Sequence, residues 1–544
     1  MFDYRIGMIG TPAVPDVKWS DSKLEELKQY GFNMMQLNIA WGCRPNDEPL
    51  NLQDVLVLPE QDSGERRKAE ERRGRIRMRL ELCKKQGMRS LFHFGAPYNG
   101  LEPYQGVPPK VCFHTEDTVK YYCGLLEELE RQIPGIDDIL VYTYDQDAWL
   151  CSEFSHCENC RGIPLHKRLP GFLSALSQKW NEVSGGGRMW WESWELSAGQ
   201  TLKTIEQLPE KGFGLMIHSN IGEVQKTRTV DTWFQNVCML AEKKHIPVIA
   251  ELFLGESSEE TEPLKRIPCP SLTYMQIKKV ICQTGVAGIK EYYGLLPQTG
   301  DPCLEIAGQV ICHPEKSLEE CLDAIAGKYE RYKNEVIQFW QQVSEAYMLY
   351  PWDVSWYARE CGRSTTDHGW NAAFLRGQQC STPSWESTRH AVFMKTDDHQ
   401  PHPWMLEDVG LRFEMAGERM QKAYELGAGL LEMIPEKMRD QIEESLESIE
   451  TFRRICTAYY LHIRETNVAM MLREEAERPT KAAAELKKEM MELLCADEKN
   501  QEGRGRVVKI RREFEENPEQ WLAMYLLPVE EDLREKGYYA LTTR

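Results

Sequence analysis

ILVYTYDQDAWLCSEFSHCENC, residues Ile139 to Cys160, decides how the chain is read: an apolar run passes straight into two aspartates, a tryptophan and a cluster of cysteines. Strands ending in acidic or aromatic residues suit a barrel whose chemistry lies at the C-terminal ends of its strands. The pattern recurs in both directions. Short apolar runs occur at Tyr4 to Ile9, Phe32 to Trp41, Met88 to Phe94, Ile139 to Tyr144, Met189 to Trp194, Phe213 to His218, Pro247 to Leu252 and Val286 to Tyr292. Helical spacing follows at Asp21 to Tyr30, Gly64 to Gln86, Glu116 to Gln132 and at 169–183, 198–210, 230–244 and 273–283. This alternation predicts an α/β fold, a (β/α)8 TIM barrel, for which about 250 residues is usual. A doubly wound open sheet would call for a glycine-rich phosphate loop after the first strand, and GMIGTPAVPD (Gly7 to Asp16) does not supply GxGxxG.

Beyond residue 300 the strand signal stops and long helical runs take over at 317–349, 404–432, 436–474 and 479–495. The expected organisation is a barrel over 1–300 and a mostly helical domain over 301–544. Between the first two of these runs, residues 351–403 are rich in tryptophan, histidine and glycine, far longer than the usual loop of about 4–6 residues. This loop is expected to lean over the barrel's active face and give Trp or His contacts to a substrate, the alternative being a packed structural excursion. The charged helical runs read as solvated faces with a helix-helix seam.

A net charge of -19 disfavours nucleic acid and anionic membranes as partners. No stretch approaches the roughly 20 apolar residues of a membrane span, and MFDYRIGMIG is not a basic region followed by an apolar core. With 17 cysteines, an odd number, and no signal peptide, reduced thiols and a cytoplasmic location are expected. Partners are expected to be a carbohydrate substrate, with no nucleic acid and no membrane; a homo-oligomer is left open.

In the fourth strand, Ile139, Val141, Thr143, Asp145 and Asp147 share one parity and Tyr142, Tyr144 and Gln146 the other. Barrel interiors favour branched side chains, which points Asp145 and Asp147 into the mouth. The same reading groups Ile249 with Glu251 in strand seven, and Ala287 and Ile289 with Glu291 in strand eight. Strand five adds Glu192 and Glu195 among Trp190, Trp191 and Trp194, strand six adds His218, and Trp149 and Tyr292 are further aromatic candidates. Carboxylates converging on an aromatic pocket suit glycosidic cleavage, where one acid protonates the leaving oxygen and a second carboxylate attacks or activates water. Asp145 or Asp147 is expected at the leaving group and Glu251 as nucleophile or base. Substrate binding falls to Glu291, positioning a sugar hydroxyl, with His218, Trp149, Glu192, Trp191 and Tyr292. A rim salt bridge is the competing role for Glu192 and Glu195, and a satisfied core histidine for His218.

The segment YTYDQDAWLCSEFSHCENCRG (Tyr142 to Gly162), on the fourth strand of such a barrel, resembles the hexosaminidase-like glycoside hydrolases, a group including family 20 and the α-glucuronidase-like enzymes. The resemblance covers the barrel. It implies that Asp145 orients a substrate acetamido group as internal nucleophile. The next position, a glutamate general acid in family 20, is Gln146 here, and an amide cannot donate a proton as a carboxylic acid does. Three explanations stay open: Asp147 supplies the acid, the register differs, or an acid was replaced by its amide to trap a substrate.

Cys151, His156, Cys157 and Cys160 lie beside the proposed site. A single CxxC lacks the second pair of a zinc ribbon, so reduced, loop-packing thiols are favoured and no cofactor is expected. The alternative is a structural zinc on Cys151, Cys157 and Cys160, with Cys112 or Cys123 as a fourth ligand. The function expected is an exo-acting glycoside hydrolase of small oligosaccharides or glycosides. The alternative is a carbohydrate-binding barrel with impaired catalysis.

Overall fold

A computed structural model describes residues 2–11, 14, 17–39, 47–100, 110–144, 148–193, 196–210, 212–220, 225–261, 264–352, 403–477, 482–502 and 505–524. Asp145, Gln146, Asp147, Trp194, Glu195 and nearly all of the 351–403 loop lie outside these residues, and so do the expectations that fall on them.

Eight parallel strands, β1 (Tyr4–Met8), β2 (Met34–Gln36), β3 (Arg89–Gly95), β4 (Asp138–Tyr142), β5 (Met189–Glu192), β6 (Phe213–His218), β7 (Val248–Leu252) and β8 (Val286–Glu291), close into a barrel in chain order. Helices α1 (Asp21–Gln29), α2 (Ser63–Gln86), α3 (Glu116–Gln132), α4 (Leu165–Val183), α5 (Ala198–Ile205), α6 (Thr232–Lys243), α7 (Pro270–Ile281) and α8 (Pro302–Cys312) follow the strands in turn. Local chemistry sets their ends. The Asp62 carboxylate accepts from the Gly64 and Glu65 amides while Glu65 answers on the Asp62 amide, starting α2; Gly87 stops it at φ 66, a left-handed conformation glycine adopts without strain. Strand β2 is shorter than expected because side-chain bonding replaces the ladder beyond it: Asn38 Nδ2 donates to the Pro49 and His93 carbonyls, and Asn38 Oδ1 accepts from the His93 amide.

The barrel interior fixes the phase of every strand. Ile6, Met34, Leu91, Leu140, Trp190, Met216 and Ile249 form one buried cluster, with Tyr4 packed against it. Two bulky aromatics fit there because their neighbours are glycine: a Cβ on Gly214 would lie 2.3 Å from the Trp190 ring, and one on Gly288 only 2.6 Å from Tyr4 Cβ. Strand four therefore turns Leu140 and Tyr142 inward, and its branched residues Ile139 and Val141 share the opposite face, the reverse of the sequence expectation. Parallel barrel strands are buried on both faces, so branching does not reveal which face is interior.

Two compact units divide the chain. One takes in 1–258 and 270–325; the other includes 259–269 and the described residues from 326 onward. The division falls later than 300 because α8 belongs with the barrel, packing beside α7.

The second unit is helical among its described residues, with Lys333–Leu349, Pro403–Met433, Asp440–Glu477, Ala483–Asn500 and Gly505–Glu516 as its main helices. Tyr347, Tyr350, Trp352, Phe413, Phe452 and Tyr459 interlock as one aromatic cluster. A separate core gathers Val468, Leu472, Met490, Leu494, Phe514 and Trp521. Within this unit Glu465 is fully buried, and burial pushes its carboxyl up to about 8, with the charge of His462 opposing and that of Asp497 adding to the shift. The group titrates near 4.5 when unfolded, so between that pH and about 8 the folded chain retains a proton the unfolded chain releases, and stability declines as pH rises. A Glu465→Gln variant is expected to lose this decline and to gain about 1–3 kcal/mol over the wild type at the alkaline end. Thermal melts of both proteins across that range check the outcome.

Candidate functional site

Moving two residues along each strand from the interior cluster, toward the C-terminal ends, gives Met8, Gln36, His93, Tyr142, Glu192, His218 and Glu251, and β8 presents Lys290 beside Glu251. The sequence change at this level is abrupt: His93, Tyr142, Glu192, His218, Glu251 and Lys290 are ionisable where the layer below is apolar.

Five of these side chains form a buried network. Lys290 Nζ donates to Glu251 Oε1 at 2.8 Å, with both residues no more than 1% exposed. His218 Nε2 lies 3.1 Å from Glu251 Oε2 and 3.7 Å from Glu192 Oε1, and His93 Nε2 lies 3.1 Å from Glu192 Oε2. Two carboxylates are thus set among one ammonium and two imidazoles, and the set is neutral when one imidazole carries a proton. Burial would raise the Glu192 carboxyl, but hydrogen bonding from His218 and His93 and the charges of His93 and Lys290 outweigh it and hold the group well below the ordinary carboxylate range. Aromatic rings wall the network: Tyr292 stands edge-on to His218 at 4.4 Å and Tyr142 to His93 at 5.2 Å. A Cβ on Gly95 would lie 2.6 Å from the Tyr142 ring, so glycine there makes room for it.

Glu192, His218, Glu251 and Tyr292 are therefore brought together. Glu291 is not among them. Its Oε1 accepts from the Tyr293 and Gly294 amides and its Oε2 from the Leu254 amide, and burial raises its carboxyl against the pull of these donors. It ties the loops after β7 and β8 together rather than facing the mouth. This corrects the sequence expectation, which placed the wrong face of β8 inward. Trp191 is corrected likewise: it is fully buried on the face opposite Trp190, and its indole donates to Thr143 Oγ1 at 3.2 Å. Trp190 itself lies in the barrel interior, bonded to Asp138 Oδ2 at 2.9 Å. Trp149 is partly exposed in the loop after β4, edge-on to Tyr144 at 4.7 Å. A pocket of about 510 Å³ is lined by Tyr144, Leu150, Phe154 and Leu196 of the loops after β4 and β5, by His166 in the first turn of α4, and by neighbouring residues.

A Glu291→Gln variant leaves one oxygen to serve three amides. It is expected to cost about 1–3 kcal/mol of stability with KM unchanged in the folded fraction, which melting curves and kinetics on a turned-over glycoside would check.

Sequence reasoning missed His93 and Lys290. The signal was present, because both stand two residues beyond inward-facing positions, Leu91 and Gly288, and correct phasing of β3 and β8 would have found them.

Two groups have metal-ligating atoms close together. One oxygen each of Glu192 and Glu251 and one nitrogen of His218 lie within 4.8 Å of one another, but Lys290 already compensates the Glu251 charge, so this donor set fits a cation poorly. The other group is the thiols of Cys112, Cys151, Cys157 and Cys160. Cys123, the other candidate fourth ligand, instead points at the Ala175 carbonyl, 3.8 Å away.

No protein-family model matches the chain, and no curated protein sequence does. Among solved structures, a GH138 enzyme targeting pectin rhamnogalacturonan II aligns with a TM-score of 0.57 at 11% identity, over 92% of this chain and 62% of that enzyme. This chain thus spans less than two thirds of that enzyme's length. A mutant O-GlcNAc hydrolase from Thermobaculum terrenum aligns at 11% identity over 92% of this chain and 97% of that one, with a TM-score of 0.45. The GH138 likeness, at such low identity, bears on the fold: a (β/α)8 barrel followed by a helical region. Among the described residues, no helix is long and apolar enough to cross a membrane.

Proposed function

We propose that the barrel is a glycoside hydrolase, exo-acting on short oligosaccharides or glycosides, with Glu251 as nucleophile or base. The observation that carries this reading is the placement of Glu251. It lies near the C-terminal end of β7 in the inward-facing layer, held between Lys290 and His218, both of which the Tyr292 ring borders. Strands four and seven stand three places apart in the ring of eight, with the mouth between their ends, so an acid in the segment after β4, Asp145 or Asp147, could flank a glycosidic bond together with Glu251. The partly exposed Trp149 offers aromatic surface of the kind sugar rings pack against, while Tyr142 and Tyr292 are buried against the network.

A second reading, a sugar-binding barrel without turnover, draws on one observation: Glu251 is 0% exposed and already paired. Screening aryl glycosides and pectic oligosaccharides with the wild type and a Gln146→Glu variant separates the two. Turnover by the wild type supports the hydrolase. Saturable binding without product in the wild type, with turnover appearing in the variant, favours the second reading.

A further inference from the structure

We propose that Cys112, Cys151, Cys157 and Cys160 bind one zinc ion as a tetrathiolate, stapling the segment before α3 to the loop between β4 and α4. This inference is independent of what the barrel acts on. The four sulfurs all lie within 4.8 Å of one another, and Cys112 Sγ and Cys160 Sγ are 3.4 Å apart. Tetrahedral zinc with Zn–S bonds of about 2.3 Å requires sulfurs about 3.8 Å apart, while a disulfide requires about 2.05 Å. Four mutually adjacent sulfurs match the first arrangement, and all four cysteines are free thiols.

The local backbone is built for such a centre. Cys157 and Cys160 enclose a tight turn in which the Cys160 and Arg161 amides both donate to the Cys157 carbonyl, and the Asn159 amide donates to Cys157 itself. Gly162 follows at φ 75, and its amide returns to the Glu153 carbonyl. Cys112 arrives from a different loop, where its carbonyl accepts from both the amide and the hydroxyl of Thr115, the N-cap of α3. Convergence of one distant cysteine on a CxxC turn is not needed for packing an apolar loop.

A second, independent observation concerns charge. Arg168 is 2% exposed, its guanidinium donating to the Cys151 and Ile163 carbonyls, and among the described residues no carboxylate pairs with it. A buried guanidinium without a counter-ion is costly. A zinc ion with four thiolates carries a net double negative charge, and Arg168, which also donates to Cys160, stands where that charge would be offset. Borderline-soft zinc is the cation that four sulfurs in a closed site select.

The test is metal analysis of the full chain purified under reducing conditions without chelator, with cobalt(II) exchange as a second readout. Expected are one zinc per chain, cobalt spectra with the intense ligand-field bands of a tetrahedral tetrathiolate, and four thiols shielded from Ellman's reagent until a chelator is added. A Cys157→Ser variant should lose the zinc and a Cys123→Ser variant should keep it. Because the metal content and cobalt spectrum are read on the wild type, poor folding of a variant leaves the test intact. Folded wild-type protein that holds no zinc, takes none up and exposes all four thiols would overturn the proposal, as would iron as the bound metal.

Discussion

Exchanging Glu251 for glutamine is expected to lower turnover of a confirmed glycoside by at least about 10²–10⁴-fold, the range lost with general acid-base assistance alone. The same change strips Lys290 of its partner, 2.8 Å away and fully buried, and breaking a buried ion pair costs about 3–5 kcal/mol. The two effects can be parted. In a Glu251→Gln, Lys290→Met double variant the stranded ammonium is gone, so much of the lost stability should return while turnover stays low. Melting curves and kinetics on the wild type, both single variants and the double variant make the comparison. If activity returns together with stability, Glu251 is a structural anion and the base lies elsewhere.

Glu192→Gln should act differently. Glu192 is the carboxylate that both His93 and His218 approach, so its loss removes the anchor that orients the imidazoles, and a misplacement of about 1 Å can cost about 10²-fold in rate. Its pH signature is distinctive. The carboxyl titrates near 4.5 when unfolded and well below that in the folded chain, so its stabilisation is complete above the unfolded value and is lost as pH falls toward the folded one. The wild type is therefore expected to destabilise more steeply than the variant as pH falls below about 4.5, which parallel melts would show. Equal acid limbs would mean that the histidines do not hold this carboxylate.

The barrel was legible from sequence because eight apolar runs alternate with helical spacing, and the closed eight-stranded sheet follows that order. What sequence could not settle was the phase of individual strands. In ILVYTY every residue from Ile139 to Tyr142 is buried, so neither parity looks more interior than the other, and preferring the branched residues selected the face opposite Leu140 and Tyr142. Strand eight failed for the same reason: Glu291 looked like a mouth carboxylate, whereas Lys290, an unlikely interior residue by composition, is buried because Glu251 pairs with it across the strand register. Strand seven succeeded because VIAEL grouped Ile249 with the acid correctly, and Ile249 is in the interior cluster. The thiol cluster was visible in three members, since Cys151, Cys157 and Cys160 stand close in sequence, while only the fold selects Cys112 over Cys123 as the fourth.

Turnover in ¹⁸O-labelled water tests the central claim most directly. With a glycoside that the wild type consumes, mass spectrometry should place the label on the anomeric carbon of the released sugar and none on the aglycone, and Glu251→Gln protein confirmed as folded should release almost no product. Label in the aglycone, or a folded Glu251→Gln enzyme that turns over at the wild-type rate, would contradict the account.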